Sequence, residues 1–327
     1  EFMISIPVSS NLSLSDSIST NFLVIGFNRS DLLEDSLNRL QKLGKSNIWV
    51  SIDGPRPGNA RDQEENVKIK NILLKFNIPS HQCYINRLNL GCRDGVVQAI
   101  SWFFDHNDSG IILEDDIEID DSYLFCMQYL LENFHDDLDV LSISSHSELA
   151  GSHSRRADEL VNMPVCRVWG WAAWRRSWRK HLEILNETRD YSLKQIFSLI
   201  PKNYRTFDSA LRLYQCKNNS FDTWDYEWNL THLLCQSSSI TPCSNFCLNH
   251  GFGDNATHTL DPSGCPWSTM ERFDSTSLKQ IDCSISSAAE DEINNIASIC
   301  GFPRPKVSLK ENIKLYKHLI KSSLNSL

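Results

Sequence analysis

The first half of the chain sets short unbroken apolar runs between amphipathic stretches. Phe22-Leu23-Val24-Ile25-Gly26-Phe27 shows no polar alternation, as a strand covered on both faces requires. Leu32, Leu33, Leu37, Leu40 and Leu43 then recur at helical spacing, with Ser30 or Asp31 available as a cap and Gly44 as a stop. Residues 47–52 form a second apolar run, closed by Asp53-Gly54-Pro55. Strand, helix and strand in that order predict a right-handed parallel βαβ unit. The alternation continues with a charged helix over 59–76 and a strand over 82–86. A turn-rich loop, Asn89 to Gly95, then precedes an apolar helix over 96–104. Gly110-Ile111-Ile112-Leu113 reads as another buried strand, and a helix over 122–134 and a strand over 140–144 complete the pattern.

From about His146 the pattern loosens and aromatic residues crowd in, with Trp169, Trp171, Trp174, Trp178, Trp224, Trp228 and Trp267 all in this part. Near the end, Leu309, Ile313, Tyr316 and Ile320 share one face of a helix that carries Lys310, Lys314, Lys317 and Lys321 elsewhere. The expected organisation is a terminal segment over 1–20, an α/β half over 21–145, an aromatic-rich half over 146–303 and a basic amphipathic helix over 304–327. That helix is expected either to pack on the body of the protein or to touch an anionic membrane surface.

Charge narrows the functional classes. Among 327 residues, 41 acidic side chains outnumber 32 Lys and Arg, for a net charge of −9. That balance argues against a nucleic-acid binder, which needs a basic face for the phosphate backbone. The 11 cysteines contain no Cys-x-x-Cys pair, which suits free thiols in a reducing compartment. No apolar run reaches the roughly 18 residues of a membrane span, and residues 3–20 lack the pattern of a secretory leader. A cytoplasmic protein is expected, peripheral to the inner membrane face if the last helix binds lipid.

In a parallel sheet, ligands bind beyond the carboxyl ends of the strands. Here those ends carry Asn28-Arg29, Asp53-Gly54 and Glu114-Asp115-Asp116. Three adjacent acids straight after a buried strand repel one another and raise one another's pKa unless a cation offsets them. A hard divalent ion with oxygen ligands would do so. The plainer alternative is a solvated acidic loop.

These residues, taken with Trp224-Asp225-Tyr226-Glu227-Trp228, resemble the GT-A glycosyltransferases of the N-acetylglucosaminyltransferase I type. They are also similar to bacterial nucleotide-diphospho-sugar transferases that combine an Asn-Leu-Gly-Cys loop, an Ile-Leu-Glu-Asp-Asp motif and a Gly-Phe-Gly-x-x-Ala-Thr-His ending. The resemblance runs over residues 22–259 and implies a GT-A fold, a mostly parallel mixed sheet flanked by helices, with an aromatic-rich acceptor half. It implies an inverting transferase moving a sugar, hexosyl or N-acetylhexosaminyl, from a nucleotide diphosphate, UDP foremost, to a glycan or other hydroxyl. Arg29, Asp53, Arg93, Glu114 and Asp115 would then contact the donor. Asp116 and His258 would bind Mn²⁺ or Mg²⁺, and Asp225 would be the general base. Glu227 competes with Asp225 for that role or, with Trp169 and Trp171, lines the acceptor site, although tryptophans at this density also pack cores.

Two rivals share the fold. A sugar-nucleotide nucleotidyltransferase needs a Gly-rich basic loop after the first strand, and Gly26-Phe27-Asn28-Arg29 is poor in both. A non-catalytic carbohydrate-binding protein would have no need of Asp116 and Asp225.

Overall fold

The structure, a computed structural model, describes residues 5–7, 20–45, 47–147, 149, 155–200, 207–218, 220–251, 280–282 and 285–287. Strand β1 (Ser5–Pro7) is followed by β2 (Phe22–Gly26), α1 (Ser30–Lys42), β3 (Ile48–Ile52), α2 (Ala60–Lys75), β4 (Cys83–Ile85), α3 (Gly91–His106) and β5 (Ser109–Glu114). Then come β6 (Ile117–Ile119), α4 (Asp121–Asn133), β7 (Val140–Ser144), β8 (Leu160–Met163), β9 (Trp171–Trp174) and α5 (Arg175–Glu187). The remaining elements are α6 (Leu193–Leu199), α7 (Phe207–Lys217), α8 (Asp225–Cys235), β10 (Ser238–Pro242), β11 (Cys247–Asn249), β12 (Gln280–Asp282) and β13 (Ile285–Ser287).

Nine strands form the main sheet in the order β13-β8-β10-β7-β9-β5-β2-β3-β4. Pairings of β2 with β3 and β5, β3 with β4, β7 with β10 and β8 with β13 are parallel. Strand β9 runs antiparallel between β5 and β7, and β8 antiparallel to β10. The sheet is mixed and mostly parallel and is flanked by helices, as expected. The sheet crosses the change in pattern near residue 146, because β9 and β10 follow that point in the chain and pair with β5 and β7, which precede it, while β8 and β13 extend the sheet beyond β10.

The unbroken apolar runs are explained by helices on both faces. Along β2, Val24 packs toward Leu33 and Leu37 of α1 and Ile69 of α2, while Leu23 and Ile25 pack toward Ile100 and Phe103 of α3 and Trp178 of α5. Successive residues point to opposite faces, so a run with no polar break is what two apolar layers demand. A third cluster joins α6, α7 and α8 through Ile196, Leu213, Tyr226 and Leu230.

Two local expectations need correction. Helix α3 begins at Gly91, not near residue 96, so most of the expected loop is its first turn. Helix α1 takes neither Ser30 nor Asp31 as cap: its N-cap residue is Arg29, without a side-chain cap bond, and the Ser30 N–H is met by Glu65 Oε2 at 3.0 Å from α2. A feature with no sequence counterpart is the two-stranded ribbon of β6 and β11, with Ile119 opposite Cys247 and Ile117 opposite Asn249.

No helix among the described residues is long and apolar enough to cross a membrane. The eight cysteines among them are free thiols. The expected C-terminal amphipathic helix lies outside the described residues, as do residues 252–258 of the glycine-containing ending, His258 among them.

Candidate active site

Strands β2, β3 and β5 run parallel, so their carboxyl ends bring Arg29, Asp53 and Glu114-Asp115-Asp116 to one edge of the sheet. Antiparallel β9 brings the start of its own strand to the same edge, with Trp171 opposite Ile112.

Arg29 supplies part of the positive charge that the three acids need. One guanidinium nitrogen meets Asp115 Oδ1, and another reaches Asp116 Oδ2 at 2.8 Å. Asp115 is buried, and desolvation lifts its pKa to about 7: Arg29 opposes the rise and Asp116 adds to it. At Glu114, desolvation and then the charges of Asp116 and Asp115 push the pKa up to about 8. One guanidinium therefore leaves the cluster short of positive charge.

Asp116 is fixed at its backbone too. Its carbonyl accepts the His250 N–H at 2.8 Å, which ties the acidic motif to the end of β11. Gly251 lies so close that a Cβ there would stand 2.0 Å from Asp116 Oδ2. His250 also bonds Glu118 Oε2 at 3.0 Å, and Glu118 pairs with Arg39 of α1 at 2.9 Å.

Asp53 is spent on local structure. Its carboxylate accepts N–H groups from Gly54 at 2.9 Å, Leu90 at 3.0 Å and Gly91 at 3.1 Å, and the side-chain amide of Asn89 at 2.7 Å. These bonds close the residue 86–91 loop and cap half of the α3 N-terminus, which leaves four amide protons to satisfy at any helix start. The other half is met by Asp222, a residue with no part in the sequence expectations. Its oxygens accept the Cys92 N–H at 2.9 Å and the Arg93 N–H at 2.8 Å. No local sequence pattern points to it, because it lies 130 positions from the helix it caps.

Arg93 and Glu227 form a pair. Glu227 is 1% exposed, and its two oxygens take Arg93 Nε at 2.9 Å and Nη2 at 3.2 Å in a bidentate fork. Asp225 differs sharply from its neighbour. It opens α8 half-buried, and among the described residues Thr223 Oγ1, at 2.6 Å, is the one side chain that hydrogen-bonds to its carboxylate. Desolvation raises its pKa, against the opposing pull of Thr223 and Arg167.

Asp225 lies close enough to the acidic motif for its charge to add to the raised pKa of Glu114. The Cys92 thiol registers the same convergence: burial, then Glu114, Asp222, Asp225 and Asp116, push its pKa well up. Acids from the end of β5, the start of α8 and the loop before it thus all lie near the first turn of α3.

The tryptophans divide. Trp171, expected on an acceptor wall, is a core residue instead: it is 1% exposed, with its ring centroid 5.2 Å from that of Trp228 and 5.6 Å from that of Trp224. Trp169 is half-buried beside His146, centroids 4.8 Å apart, at the carboxyl edge of the sheet.

No group of three or more His, Cys, Asp or Glu among the described residues is arranged as a complete metal site. A nucleotide-bound Mg²⁺ or Mn²⁺ does not need one, because one or two carboxylates and the substrate's phosphates suffice. Asp116, with one oxygen on Arg29, and Glu114, with its raised pKa, fit that partial donor set.

No protein-family profile and no curated protein sequence matches the chain. Among solved structures, mannosyltransferase PcManGT from Pyrobaculum calidifontis, in complex with GDP-Man and Mn2+, is similar over 70% of this chain and 73% of its own at 11% identity and a TM-score of 0.34. Mannose-1-phosphate geranyltransferase from Thermus thermophilus is similar over 68% and 73% at 8% identity and a TM-score of 0.30. The apo-form glycosyltransferase GlyE of Streptococcus pneumoniae follows over 64% and 46%, at 8% identity and a TM-score of 0.24. Likeness this distant says nothing of substrate or chemistry.

Proposed function

We propose that the chain is a metal-dependent inverting glycosyltransferase that moves a sugar from a nucleoside diphosphate, UDP foremost, to a hydroxyl acceptor. The observation that carries the reading is the pairing of an Arg29-bridged acid motif at the strand ends with a second carboxylate, Asp225, close to it at the start of α8. A diphosphate needs cations, and Arg29 with a divalent ion on Asp116 and Glu114 would supply them. When bound, that ion offsets the charge developing on the leaving diphosphate.

Inversion needs a base on the acceptor side, opposite the leaving group. Asp225 suits the task better than Glu227. Its raised pKa makes it a stronger proton acceptor, and the Thr223 hydroxyl is the one side chain among the described residues that bonds its carboxylate. Glu227 has both oxygens on Arg93. Trp169 stands at the edge where a sugar ring could stack, and Asp53 contributes by shaping the loop beside the donor.

The test is UDP release from a panel of UDP-sugars with Mn²⁺. Asp225→Asn should cost about 10²–10⁴-fold in turnover, the usual contribution of a positioned base, with UDP affinity near wild type. Full activity in Asp225→Asn would remove the inverting mechanism.

A further inference from the structure

Asp222 stands where two parts of the molecule far apart in sequence meet. It lies three residues before Asp225 and bonds the amides of Cys92 and Arg93, 130 and 129 positions away. Arg93 returns the link, reaching Glu227 two residues beyond Asp225. The first turn of α3 thus grips the chain on both sides of Asp225. The approach is close enough to require glycine at position 91, where φ is +85° and a Cβ would lie 2.8 Å from Asp222 Oδ2. The same turn of α3 is held from below by Asp53 at the end of β3. An unbroken series of bonds therefore runs from the strand end beside the acidic motif, through the α3 N-terminus, to the start of α8.

We propose that Asp222 is a positioning residue for Asp225: by clamping the start of α8 onto the capped first turn of α3, it sets where the Asp225 carboxylate stands relative to the acidic motif. This rests on the reading of Asp225 as the base. The clamp makes no contact with substrate. Its need is geometric, because the Asp225 carboxylate has one side-chain hydroxyl to hold it and therefore depends on its backbone for placement. Displacing a reacting group by about 1 Å can cost on the order of 10²-fold in rate.

The experiment uses the full chain, Asp222→Ala and Asp222→Asn, each alone and combined with Asp225→Asn. UDP release from a UDP-sugar with Mn²⁺, UDP affinity by calorimetry and amide hydrogen exchange are measured on each. Asp222→Ala should lower kcat about 10–100-fold while UDP affinity changes less than about threefold. It should speed exchange at Cys92 and Arg93, and also at Glu227 and Trp228, whose amides close the first turn of α8 on the Trp224 carbonyl. Asp222→Asn, which keeps one acceptor oxygen and the side-chain shape, should recover part of the turnover and serves if the alanine variant fails to fold. In the Asp225→Asn background, loss of Asp222 should cost nothing further, because sites that act through one group are not additive. Unchanged exchange at Glu227 and Trp228, or a further tenfold loss in that background, would overturn the proposal. Undiminished turnover in Asp225→Asn itself would overturn instead the reading of the base on which it rests.

Discussion

Gly251 shows how tightly the acidic motif is fitted. Its missing side chain is the space that Asp116 Oδ2 occupies, 2.0 Å from where a Cβ would be, and the neighbouring His250 amide holds the Asp116 carbonyl. Gly251→Ala must therefore push the Asp116 carboxylate off Arg29 or strain the β11 end. The expected cost is about 1–3 kcal/mol of stability in urea denaturation, with weaker Mn²⁺-dependent UDP binding. A variant with wild-type stability and binding would mean that Asp116 moves freely. Trp171 makes the opposite kind of case. Its ring lies among Trp224, Trp228 and the β-sheet core, so Trp171→Ala should destabilise the fold by about 3–5 kcal/mol. A loss confined to acceptor affinity at unchanged stability would restore it to the acceptor wall.

At the scale of elements, α3 is the piece on which the site is hung. Asp53 accepts the Leu90 and Gly91 amides and Asp222 those of Cys92 and Arg93, so two carboxylates meet the donors that open the helix. Asp53→Ala should then cost about 2 kcal/mol, the upper range for a lost N-cap, visible as a lower urea midpoint with an unchanged slope. No change would show that the residue 86–91 loop holds without it. This helix also marks the limit of what the sequence discloses. Strands β2, β3 and β5 were legible because burial on both faces leaves an uninterrupted apolar run, and the acids after β5 stood out because three charges follow four buried residues. The start of α3 was not legible, since its caps lie about 40 positions before it and 130 after it and no local pattern carries them. Ribbon β6–β11 was hidden for the same reason: each strand is three residues long and pairs across more than a hundred residues. Glu227 and Asp225 are acids of one short motif, and the Arg93 fork on Glu227 and the Thr223 bond on Asp225 separate them only in three dimensions.

Across the whole molecule, buried ionisable groups of opposite habit set the response to pH. His181 and His232 are fully buried, and burial lowers their pKa values to about 3 and about 4. The unfolded chain takes up these protons near pH 6.5 while the fold refuses them, so this pair costs stability as pH falls below 6.5. Glu114 and Asp115 have pKa values raised to about 8 and about 7. They keep protons that the unfolded chain releases near pH 4, so they cost stability as pH rises from there to 8. The two slopes oppose each other between about pH 4.5 and 6.5, leaving a plateau, with a descending limb above 6.5 due to the acids. Thermal melts of the unliganded protein should show that limb, and Glu114→Gln should flatten it; a limb unchanged in Glu114→Gln would place its origin elsewhere. The same surplus of negative charge is what a donor's cation would relieve. Calorimetric titration of UDP into the full chain, with Mn²⁺ and with EDTA, tests it directly. Binding is expected with Mn²⁺, none in EDTA, and none to Asp116→Ala under either condition. Tight binding in EDTA, or no binding of UDP to the wild type even with Mn²⁺, would contradict it.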